Sequence, residues 1–140
     1  MSKIERIVQW NEERNLLENP TTFKKESCFI LEELIEGLVG SESKEARRDA
    51  EEIVDIISNE AKKGKEITTE DEIDALCDIV VFAVGAIRKL GYNPSIALDE
   101  VIKEIESRKG KIIDGKFIKD KSLEAQKNWY KANFSKAKIW

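Results

Sequence analysis

Apolar residues recur along this chain at the three- and four-residue spacing of helices, and no run of them is long enough to span a bilayer. Ile4, Ile7, Val8 and Leu16 make one stripe, predicting a helix from about Ser2 to Leu17 that Asn19-Pro20 interrupts. Thr21 or Thr22 then caps a second helix reaching Val39 and ended by Gly40. A third, highly charged helix is expected from about Ser43 to Lys63, closed by Gly64, with Ala50, Ile53, Val54, Ile57 and Ala61 on its apolar side. Thr68-Thr69 followed by Glu72 has the pattern of a capping box and opens a fourth helix that runs to Leu90 before Gly91. Pro94 begins a fifth, which continues to about Ser107.

Residues 111–119 leave the helical period. Ile112-Ile113-Asp114-Gly115-Lys116-Phe117-Ile118 sets a turn-forming Asp-Gly between short apolar pairs, which predicts a hairpin. A short helix from about Ser122 to Tyr130 and an aromatic tail ending at Trp140 follow. The expectation is an all-α fold, a helical bundle with a small C-terminal β-hairpin and tail. It forms one domain over residues 1–140, with a helical core at 1–108 and a basic hairpin and tail at 109–140.

Composition narrows the chemistry. There is no histidine, which removes the commonest general base and the commonest transition-metal ligand. Cys28 and Cys77 form no CxxC pair, so they read as reduced thiols rather than as zinc or disulfide chemistry. Residues 1–10 lack the apolar run of a signal peptide, and the expected location is cytoplasmic, with no membrane partner. Charge is divided unevenly. Residues 1–102 carry 13 basic and 23 acidic side chains, whereas residues 103–140 carry 11 basic and 5 acidic. The first part suits cations and the second an anionic ligand. Nucleic acid is not an expected partner, because most of the chain would repel phosphate.

Two groups of carboxylates need an explanation. On the second helix Glu32, Glu36 and Glu33 fall within an arc of roughly 100° at helical geometry, opposite Ile30, Leu31, Leu34, Ile35, Leu38 and Val39. A solvated acidic face of an amphipathic helix accounts for that arrangement as well as a binding site does. The fourth helix is different. Between Ala75 and Ile87 Asp78 is the sole charge, so this segment should be buried in the bundle or in a subunit contact. A carboxylate there must be protonated, paired with a base such as Arg88 or Lys89, or bound to a metal. Asp74 and Asp71 lie at helical spacing from it, and no Lys or Arg sits one turn away. Crowded carboxylates without cations repel, and an all-oxygen donor set favours Mg²⁺ or Mn²⁺ over zinc.

Glu32-Glu33-Leu34-Ile35-Glu36 resembles the EExxE motif of the MazG-type all-alpha nucleoside triphosphate pyrophosphohydrolases, the superfamily that includes MazG proteins, all-helical dUTPases and phosphoribosyl-ATP pyrophosphohydrolases. Asp74-Ala75-Leu76-Cys77-Asp78, with Gly91 beyond it, is similar to the superfamily's second acidic helix. The likeness runs from about Phe23 to Ser107, and the usual ExxD has Ala75 in place of its glutamate, with Asp74 beside it. Ser107-Arg108-Lys109-Gly110, Gly115–Asp120 and Tyr130-Lys131-Ala132 are similar to a tail of phage and bacterial MazG-like proteins.

The resemblance implies hydrolysis of nucleoside triphosphates to monophosphate and pyrophosphate, by a homodimer or homotetramer. It implies Mg²⁺ held by Glu32, Glu33, Glu36 and Asp78, with Asp74 as a further ligand or a partner of one. Glu33 is the expected catalytic base for the attacking water. Arg108, Lys109, Lys116 and Lys119 are placed to meet phosphates, and Asn93 to meet sugar or phosphate, unless it serves only the turn Gly91-Tyr92-Asn93-Pro94. Trp10, Phe23 or Phe82 could stack on a base, although helical spacing favours a core role. Two rival readings are a non-catalytic helical interaction protein whose acidic face binds a basic partner, and an RNA-binding module built on the basic tail.

Overall fold

The computed structural model describes residues 1–18, 20–40, 44–60 and 66–140. Among them the chain forms six α-helices, a 3₁₀ turn and one two-stranded antiparallel hairpin near the C-terminus. It divides into two compact units, Pro20–Asp74 and Met1–Asn19 with Ala75–Trp140.

The first unit is a helical hairpin of α2 (Phe23–Val39) and α3 (Lys44–Glu60). Thr22 caps α2 by accepting the Lys25 N–H, and Gly40 closes it in the left-handed region at φ +79°. The expected α3 boundaries at Ser43 and Lys63, with Gly64, lie outside the described residues. The helices run antiparallel, because Lys24 pairs with Asp55 at 2.6 Å while the Arg47 guanidinium lies 5.2 Å from the centre of the Phe29 ring. Ala46 and Ala50 are fully buried where the two helices meet, and their small side chains let the backbones approach.

In the second unit α1 (Lys3–Glu13) packs on α5 (Pro94–Glu106). Ser2 and Glu5 form a capping box at the start of α1. The helix stops four residues short of the expected Leu17, because Asn15 takes a left-handed φ of +56°. Its N–H then reaches Glu12 O while the Leu16 N–H reaches Asn11 O, the two bonds of a Schellman stop. The periodicity of Leu16 and Leu17 continues beyond the helix that carries it.

Arg6 ties α1 to α5 through Asp99 (2.7 Å) and Glu106, and the Trp10 indole N–H donates to Ile105 O at 3.1 Å. Strands β1 (Gly110–Ile113) and β2 (Lys116–Lys119) are joined by Asp114 and Gly115, both at positive φ, as a type I′ turn requires. Phe117 then stands edge-on to Trp10 at 5.3 Å, with the Arg14 guanidinium over both rings. Trp10 is therefore a packing residue, and the alternative of stacking on a base does not describe it.

The short α6 covers Leu123–Gln126 rather than reaching Tyr130, and a 3₁₀ turn follows at Phe134–Ala137. The residues from Tyr130 onward lie against α5 and the corner that joins it to α4 (Thr69–Lys89). That corner is a second Schellman stop. Gly91, at φ +94°, donates to Arg88 O, and Tyr92 donates to Ile87 O. No helix among the described residues is long and apolar enough to cross a membrane.

Candidate functional site

The three carboxylates of α2 do not share one environment. Glu33 is exposed, Glu36 is half-buried and Glu32 is only 6% exposed. The solvated-face reading expects all three in water, so it fails for Glu32. Meanwhile Leu34, Leu38 and Val39, on the apolar side of the same helix, are exposed in the chain. A carboxyl side chain withdrawn from water while leucines stay in it requires polar or charged groups around it. On the facing helix, Glu51 and Asp55 stand near the Cys28 thiol. Burial pushes that thiol up first, and the two carboxylates add to the effect. The α2–α3 pair thus gathers more negative charge than the second helix alone suggested.

On α4 the expectation of burial within the chain is corrected. Asp78 is exposed, and so are Asp74 and the apolar residues that follow, Val81 at 67% and Phe82 at 76% among them. The physical reason is that, among the described residues, no helix of the same unit packs along α4. Asp71 is also reassigned. Its carboxylate accepts from the Thr68 N–H and hydroxyl at 2.9 Å while Thr68 Oγ1 accepts the Asp71 N–H, so Asp71, not Glu72, completes the capping box of α4. Those bonds hold its carboxyl below the usual range. Arg88 does not fold back toward Asp78 and lies 5.9 Å from the centre of the Trp140 ring.

Among the basic candidates, two converge. The Arg108 guanidinium lies 5.2 Å from the centre of the Trp129 ring and Lys119 Nζ 5.7 Å from it, with Arg108 also paired to Glu104 at 3.1 Å. Lys109 is exposed beside β1, and Lys116 is half-buried on β2. Asn93 does the turn chemistry, since its side-chain oxygen accepts from the Ser95 and Ile96 N–H groups and caps α5.

Glu100 escaped sequence reasoning. It sits on α5, is 1% exposed, and accepts from the Tyr130 hydroxyl and from the Asn133 N–H at 2.9 Å. These bonds, the tyrosine's first, hold its carboxyl below the ordinary glutamate range. One signal was present in the sequence: an acid three residues before Lys103 and a turn from apolar neighbours, which many exposed acids share.

Within neither unit, among the described residues, do three or more Asp, Glu or Cys side chains gather closely enough to share a metal ion. No protein-family model, curated protein or solved structure matches the chain.

Proposed function

We propose that this protein is a MazG-like, Mg²⁺-dependent nucleoside triphosphate pyrophosphohydrolase that works as a homo-oligomer. The observation that carries the reading is Glu32, a carboxylate kept out of water on a helix that also presents Glu33 and Glu36. The donor set suits the ion: it is all oxygen, with no imidazole in the chain. The ligand set that the MazG resemblance implies for Mg²⁺ is Glu32, Glu33, Glu36 and Asp78, with Asp74 as a further ligand or a partner of one. Bound there, the ion supplies charge neutralisation for triphosphate oxygens as a P–O bond breaks. Glu33, the most exposed of the α2 trio, orients and deprotonates the attacking water. Arg108 and Lys119, with Lys109 and Lys116 on the same hairpin region, steady the departing pyrophosphate.

A second copy of the chain is the proposed cover for α4. Its exposed residues 79–84 carry no charge, and burying each large apolar side chain is worth about 1.5–3 kcal/mol. The same exposed face also suits a non-catalytic helical interaction protein, which is the second reading. Hydrolysis by wild type and Glu33→Gln in Mg²⁺ separates them. The enzyme reading expects the variant to lose about 10²–10⁴-fold in rate while its circular dichroism is unchanged. Activity retained in Glu33→Gln removes that residue from the mechanism, and a wild type inert toward every triphosphate favours the interaction protein.

A further inference from the structure

We propose that residues 130–140 form a strap that detaches as one unit from α5 and the α4–α5 corner while the rest of their unit stays folded, with the buried Glu100 carboxylate as its latch. The latch is built from both sides. From the strap come the Tyr130 hydroxyl, the Asn133 N–H and, at 3.8 Å, Lys136 Nζ; from α5 comes Lys103 Nζ at 3.4 Å. Lys103 is shared with Asp99, which Arg6 of α1 also holds, and Glu104 accepts from the Ala132 N–H. The Tyr130 N–H adds a bond of 2.8 Å to Ser107 Oγ.

The far end of the strap is stitched to the corner. Asn93 N–H donates to Ala137 O and Ile139 N–H to Gly91 O, each at 2.7 Å. Trp140 closes over Gly91 so tightly that a Cβ on that glycine would lie 2.6 Å from a ring carbon.

Little besides these anchors holds the segment. Its regular structure is a four-residue 3₁₀ turn, its one buried apolar side chain is Ala137, and Phe134, Ile139 and Trp140 remain exposed. A segment with few buried apolar contacts and many bonds to other elements opens below the global unfolding free energy. Because its donors converge on one carboxylate, losing that carboxylate loosens the near end, and the far end has too little burial to hold alone. Release would bare the corner that carries Asn93.

The test is amide hydrogen exchange on the full chain of wild type, Glu100→Leu and Tyr130→Phe. In Glu100→Leu the amides of Asn93, Asn133 and Ile139 should exchange together, at least about tenfold faster, with the Ile102 amide inside α5 unchanged; Tyr130→Phe should give a smaller, equally concerted change. Acceleration of Asn133 alone overturns the proposal, because the anchors are then independent. Equal acceleration of Ile102, or a Glu100→Leu chain that does not fold, also overturns it, because the strap is then inseparable from the core. None of these readouts depends on nucleotide hydrolysis.

Discussion

At the scale of single residues, the acids of this chain separate by what surrounds them. Glu100 is spoken for by hydrogen bonds from the tail, and its carboxyl is more acidic in the folded chain than in the unfolded one. Such a group stabilises the fold at pH above the ordinary glutamate range, and that contribution disappears as pH falls through the lower, folded value. Thermal unfolding followed from pH 7 to pH 3 should therefore show a midpoint that drops in acid, with a shallower drop in Glu100→Gln. An identical pH profile in the variant contradicts the assignment. Glu32 makes the complementary point. Helical geometry placed it beside Glu33 and Glu36, but angle around an axis does not say which side a neighbouring helix covers. Glu100 was not legible at all, since the residues that bury it lie 30 and 33 positions away in sequence.

At the scale of elements, the punctuation was the legible part. Thr22 and Gly40 bound α2, Asn93 and Pro94 open α5, and Asp114-Gly115 makes the hairpin turn, because each position demands a backbone geometry or a capping oxygen that few residues supply. Boundaries without such a residue at the expected place drifted. Apolar spacing carried the first helix on to Leu17, yet Asn15 had already ended it. Gly91 offers a direct check on the corner that the strap covers. Gly91→Ala must hold φ +94° and push aside the Trp140 ring, so it should cost roughly 1–3 kcal/mol in denaturant unfolding. A neutral effect would show that neither constraint binds. The apolar length of α4 predicts burial in the bundle or in a subunit contact, and residues 79–84 are exposed in the chain. Sequence gives the need for burial but not the molecule that meets it.

At the scale of the whole molecule, the open α4 face and the proposed site lead to two expectations. Phe82→Asp should shift an oligomeric wild type toward monomer in size-exclusion chromatography with light scattering, because it sets a charge on the most exposed large apolar side chain of residues 79–84. A wild type already monomeric at micromolar concentration would contradict the second copy. Adding Mg²⁺ should raise the unfolding temperature and EDTA should reverse it, with the rise diminished in Glu32→Gln, as expected for an ion that binds the folded chain alone. Indifference to Mg²⁺ would count against the ion site. The most direct measurement is product analysis with a panel of nucleoside triphosphates in Mg²⁺. The account predicts monophosphate and pyrophosphate in equal amounts from at least one of them, and the appearance of orthophosphate as the sole product would contradict it.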